Sequence, residues 1–182
     1  MLKGRLVGLR EPRREDVEAL FELSTDVEQV SLSEWHPFQP RSLDARQAEY
    51  DKGQAEQDQT SASFTIQWLT DEAGAAIGRV GLWRIDAHHR SAHLGIALLP
   101  SARGQGLGRD AIEVVCRYGF EIRGLERLSL ETLEINTAMR ATAVACGFVQ
   151  EGQQRRAAWC LGRRVDEVLY GLLADEWSAR QG

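Results

Sequence analysis

Arg103-Gly104-Gln105-Gly106-Leu107-Gly108-Arg109 is the stretch of this chain best equipped for chemistry. An apolar run from Leu94 to Leu99 stops before it at Pro100. An amphipathic pattern follows, with Leu107, Ala111, Val114, Val115, Tyr118 and Ile122 on one helical face. Strand, glycine loop and helix together make a device for holding phosphates. The first turn of a helix offers unpaired N–H groups and a positive dipole end, and glycines let backbone approach the anion. Just upstream stands His93, whose residue type can accept a proton near neutral pH. Downstream, Asn136 opens a short helical pattern that Gly147 closes. A second group of candidates, Glu34, Trp35, His36 and Phe38, falls in an irregular stretch before residue 42.

Three ligands compete for the glycine loop. A P-loop is excluded, because no G-K-[ST] follows. Gly106 to Ala111 matches the GxGxxA dinucleotide fingerprint, with Glu131 about twenty residues on. Against that reading, Pro100 to Gln105 separate the fingerprint from its strand, and a β-meander precedes it instead of a repeated βαβ unit. The third reading rests on the segments that flank the loop as well as on the loop itself.

The totals narrow the class. At 182 residues the chain is expected to form one domain, 1–182, with a substantial core. Its net charge of −5 gives no support to nucleic-acid binding. Cys116, Cys146 and Cys160 have no metal-ligand spacing, and their odd number suits free thiols in a reducing cytoplasm. His88 and His89 are adjacent in a turn, which suits solvent better than a metal. No metal is expected, and no apolar run is long enough to span a bilayer.

The elements that must position these residues read as follows. Arg5 to Arg10 is a first strand, Glu15 to Leu23 a helix, 24–41 irregular, and Asp44 to Gln57 a very polar helix. Ala62–Leu69, Ile77–Asp86 and Ala92–Leu99 form a meander. Arg127–Leu133 is a strand and Thr137–Cys146 a helix. Phe148 and Val149 open another strand, and Ala157–Leu161 with Val165–Leu173 make a terminal hairpin around Gly162-Arg163-Arg164. The predicted class is α/β (α+β mixed), a central mixed, mostly antiparallel sheet flanked by helices, in the order β-α-α-β-β-β-α-β-α-β-β.

Arg103 to Gly108 resembles the R/Q-x-x-G-x-G/A loop of the GNAT acyltransferase superfamily. His93-Leu94-Gly95-Ile96 is similar to the strand before that loop. Asn136 to Phe148 resembles the family's helix that begins with Asn and ends in Gly-Phe. Gly162-Arg163, Asp166 and Leu172 to Trp177 resemble the C-terminal hairpin of the RimJ/RimL-like branch. The resemblance covers most of the chain and implies an acetyl-CoA-dependent N-acetyltransferase. Gly104, Gln105, Gly106, Leu107, Gly108 and Arg109 would hold the pyrophosphate through their backbone, with Arg103 and Arg109 neutralising charge. The Ile96 to Leu98 backbone would pair with the pantetheine arm, and Asn136 would touch the cofactor as well as cap its helix. A Leu98 N–H would stabilise the thioester oxyanion.

The acceptor amine has a pKa of about 10.4 and must lose a proton before attack. His93, where relatives carry Glu, is the first candidate base and Glu34 the second. Trp35, Phe38 and Trp159 are candidate walls of the acceptor site. The family's thiolate-protonating Tyr and Ser are replaced by Ala143 and Met139, which leaves Thr142, Cys146 or solvent as donors and keeps a non-catalytic acyl-CoA-binding protein as the alternative. The acceptor would be a peptide N-terminus, a polyamine or another small amine. No nucleic-acid or membrane partner is implied, and homodimers are common in the family.

Overall fold

The computed structural model describes residues 1–33, 36–55 and 59–180. Its centre is an eight-stranded sheet in which β1 (Leu2–Lys3), β2 (Val7–Arg10), β3 (Ala62–Trp68), β4 (Gly78–Asp86) and β5 (Ser91–Leu98) follow in order, then β6 (Arg127–Leu133), β8 (Arg163–Leu173) and β7 (Val149–Cys160). All neighbours are antiparallel except β5 and β6. Alternation along each strand gives the sheet an apolar face. Ile66, Val80, Leu82, Leu94, Leu128 and Leu130 are buried there. α5 (Leu107–Arg117) covers that face with α6 (Thr137–Ala145), and Ala111, Ile112, Val115 and Ala143 are fully buried in the contact. α5 links β5 to β6 as the crossover that a parallel pair requires.

The opposite face carries α1 (Arg14–Ala19), α2 (Glu22–Thr25), α3 (Val27–Ser33) and α4 (Leu43–Ala55). α1 is tied down by a buried ion pair. Arg10 Nη1 and Nη2 donate to Asp16 at 2.7 and 2.6 Å, and Thr65 Oγ1 and Arg13 N–H add bonds of 2.8 Å each. Burial alone would raise the Asp16 carboxyl. The bonds from Arg10, Arg13 and Thr65 outweigh it and hold the carboxyl below its usual range.

The mixed α/β class and the mostly antiparallel sheet are as expected, but several elements differ: β1 stands outside the expected order, and the strand expected over Arg5 to Arg10 begins at Val7. The helix expected to reach Leu23 stops at Ala19, and the stretch read as irregular contains α3, whose first turn is held by Gln29 N–H donating to Asp26 Oδ1 at 3.1 Å. α3 buries only Val30, so it shows no stripe in the sequence. The terminal hairpin turns at Leu161 and Gly162, both at positive φ (46° and 84°), not at Gly162–Arg164. Two successive left-handed residues suit a two-residue hairpin turn, and β7 runs back to Val149 without a break. A last helix, α7 (Ala174–Ala179), was absent from the expected order. It is anchored by Trp177, which is 4% exposed. Among the described residues no helix is long and apolar enough to cross a membrane.

Candidate active site

β5 and β6 lie side by side for three rungs only: Ser91 with Arg127, Ala92 with Leu128, His93 with Ser129. Past His93 the strands part, while β5 stays paired to β4 as far as Leu98. Leu99 N–H turns toward β4, donating to Ile77 O at 2.9 Å. Alternate residues of a strand direct their backbone groups to opposite neighbours, so those of Ile96 and Leu98 open into the gap. Arg103 Nε donates to the Leu98 carbonyl at 3.0 Å, and the Leu98 N–H has no acceptor among the described residues. Unpaired backbone groups inside a sheet are a vacancy for another hydrogen-bonding strand or for an amide-bearing chain of strand-like reach.

The glycine loop lies at the far end of this gap. A short 3₁₀ turn (Pro100–Ala102) leads into Gly104 (φ +73°) and Gly106 (φ +79°), the latter capping α5. The first N–H of the helix to find a backbone acceptor is that of Asp110, bonded to Gly106 O at 3.1 Å. The N–H groups of Gly104 through Arg109 have no acceptor among the described residues. Such a run of free donors at a helix N-terminus is a nest for a polyanion. Arg109 is turned away from sole duty to a phosphate, because its Nε donates to Glu113 at 2.8 Å. Asn136 caps α6 by accepting from Met139 N–H at 3.1 Å; its amide nitrogen has no protein acceptor among the described residues.

His93 stands where the strands part. Its Nδ1 is 2.8 Å from Glu131 Oε1, and both side chains are largely buried, with 28% and 13% exposed. A carboxylate only accepts, so this contact selects the neutral tautomer with its proton on Nδ1 and its lone pair on Nε2. The ring lies beside Trp83, 5.9 Å between centroids, and Trp83 packs over Gly95, where a Cβ would come within 2.7 Å of the indole. Glu167 on β8 belongs to the same sheet face, since Glu131 faces Leu169 and Leu133 faces Glu167 across the β6–β8 pair.

Glu34 and Trp35 lie outside the described residues. Phe38 is half-buried ahead of α4. Trp159 does not reach His93. It is 65% exposed on the sheet face opposite Ala158 and Val165, under the Arg164 guanidinium. The substitute proton donors are poorly placed. Thr142 Oγ1 is spent on Ala138 O at 2.8 Å, and burial pushes the Cys146 thiol up to about 12. Among the described residues no cluster could hold a metal ion. The Glu131 contact was missed from sequence. In the sequence Glu131 stands out only as the acid of the dinucleotide fingerprint, and the thirty-eight-residue separation from His93 closes only through the parallel β5–β6 pairing.

The Acetyltransferase (GNAT) domain matches residues 6–149. The chain belongs to the GNAT acetyltransferase family. It is an N-acetyltransferase of that family, whose acyl donor is acetyl-CoA, and the dinucleotide reading falls. The chain is 28% identical to the spermidine N(1)-acetyltransferase of Vibrio cholerae over 82% of its own length and 83% of the relative's. YdaF of Bacillus subtilis, provisionally named a ribosomal N-acetyltransferase, is 29% identical over 59% of each chain. The crystal structure of the Vibrio cholerae spermidine N-acetyltransferase with CoA and spermine superposes at a TM-score of 0.84, with 26% identity, over 94% of this chain and 98% of that one. A dodecameric structure of that enzyme gives a TM-score of 0.80 with 26% identity over 97% of this chain and 98% of the other.

Proposed function

We propose that this chain transfers an acetyl group to a primary amine of a small cationic acceptor of the polyamine class. The observation that carries the reading is the His93–Glu131 pair set at the point where β5 and β6 part. The donor supplies an activated thioester. The free N–H groups of Gly104 to Arg109 would take its pyrophosphate, and the open edge of Ile96 and Leu98 its amide-bearing arm. His93 Nε2 then removes the proton that an amine of pKa about 10.4 carries at neutral pH. Glu131 holds the ring in the right tautomer and stabilises the imidazolium that forms. A thiolate leaves from a thiol of ordinary pKa about 8.5 without obligatory protonation, so the buried Ala143 and the apolar Met139 at the family's donor positions are compatible with turnover.

The polyamine class is supported by the spermidine enzyme's similarity over most of both chains and by the carboxylates Glu131 and Glu167 on the same sheet face as His93. A CoA-release screen with polyamines, N-terminal peptides and aminoglycosides tests the reading. Release with polyamines and loss of that release in His93→Ala are expected. Release with peptides alone, or with no amine, overturns it. We also infer a homo-oligomer. β7 ends the sheet as an open edge with Val149 and Trp159 exposed, a surface that monomers usually blunt. Light scattering at the protomer mass of 20.4 kDa would refute this.

A further inference from the structure

Among the described residues no group neutralises the Glu167 carboxylate. The residue is 7% exposed and no described hydrogen bond or ion pair reaches it, yet its oxygens are not fully enclosed and stay open to a ligand or solvent. Burial raises its pKa, and the nearby Glu131 charge raises it further, with no cation acting in the other direction. A fold with no use for this group would tend to hold an apolar side chain or an amide there, because an unpaired buried charge is costly. Glu131 cannot relieve it, being an acid already engaged by His93. Leu133, Cys160 and Val165 form an apolar cluster on this sheet face with Leu32 of α3 packed on it, and the β6–β8 register sets Glu167 diagonal to Glu131, the partner of His93. Diagonal neighbours across a strand pair sit roughly 7–8 Å apart. Glu167 is therefore a short linear spacer away from the nitrogen that His93 would deprotonate.

We propose that Glu167 is the seat of a second positive charge on the acceptor, so that the substrate is a linear di- or polyamine whose reacting nitrogen lies at His93 while a neighbouring ammonium pairs with the Glu167 carboxylate. This rests on the amine-acetylation reading above and goes beyond it by assigning the residue that tells a diamine from a monoamine. Kinetics with putrescine and with butylamine, which differ by one terminal ammonium, test it on the wild-type chain and on Glu167→Gln. The expected result is a wild-type preference for putrescine that falls about tenfold or more in Glu167→Gln, through KM and not kcat, the size typical of a lost bond to a charged group. Equal wild-type use of the two amines, or an equal loss on both in the variant, overturns it. Thermal melts confirm that the variant is folded, and Glu167→Met serves if the amide is not. Calorimetric titration of putrescine into protein saturated with CoA gives a readout without turnover. If no amine is acetylated, the reaction proposed above fails, and putrescine binding that weakens in Glu167→Gln still upholds the subsite; binding indifferent to Glu167 removes it.

Discussion

Gly106→Ala separates the backbone's role from the side chains'. Gly106 sits at φ +79° and ψ −6°, a left-handed conformation that costs an L-residue about 1–2 kcal/mol. Space adds nothing, because the nearest atom to an added Cβ is Leu6 Cδ1 at an ordinary 3.7 Å. For a chain of this size that cost lowers Tm by roughly 2–8 °C. Gly162, at φ +84° in the distant hairpin turn with nothing within 4 Å of a Cβ, is a control of equal strain. CoA at a hundred times its Kd stabilises the native state by about 2.7 kcal/mol, or roughly 5–11 °C. Alanine at 106 can relieve its strain only by rotating the adjoining peptides, which turns N–H groups out of the nest. Differential scanning fluorimetry with and without CoA should therefore show similar melting temperatures for Gly106→Ala and Gly162→Ala, with the CoA shift lost in the first and kept in the second. An intact CoA shift in Gly106→Ala would falsify the assignment of the pyrophosphate to this loop.

His93→Ala should lower kcat by about 10²–10⁴ with the CoA-induced Tm shift intact, and Glu131→Gln by less, since it leaves the imidazole in place; steady-state kinetics and fluorimetry check both. Asp16→Asn leaves Arg10 buried opposite a neutral group, and a loss of about 3–5 kcal/mol is expected by urea denaturation at pH 7. Because the folded carboxyl titrates below its unfolded value, the wild type keeps this stabilisation above the unfolded pKa and loses it as pH falls through the folded one, so the variants' stabilities should converge in acid. Cys116, Cys146 and Cys160 are all buried, and burial raises the first two thiols. Ellman's reagent should find no fast thiol until the chain unfolds, which makes it a clean detector of released CoA.

The sequence announced the donor side far better than the acceptor side, for a local reason. The glycine loop, its preceding strand and the Asn136 helix are contiguous segments whose residue types state their own conformations: φ is positive at Gly104 and Gly106, and Asn136 caps α6. Strand boundaries were legible wherever alternation was strong, as in β6. Lost were features made by bringing distant segments together. The Glu131 bond to His93 depends on the β5–β6 register, and the place of Glu167 beside that pair depends on the β6–β8 register. α3 itself hid because one buried valine makes no periodic signal. Trp159 misled because an aromatic on a hairpin reads the same whether its strand face is covered or bare.

The parting of β5 and β6 also limits what can enter. An outer strand edge invites any extended polypeptide. Here the two edges face each other, joined at one end by three rungs. A polypeptide strand needs about 4.7–4.9 Å on each side of its own backbone, and side chains above and below it. The strands are still paired at His93, so no further strand fits between them there, and the backbone edge of Ile96 and Leu98 is offered only past that rung. The seam is thus closed at one end, and a chain laid along its β5 edge meets the paired strands at His93 and stops there.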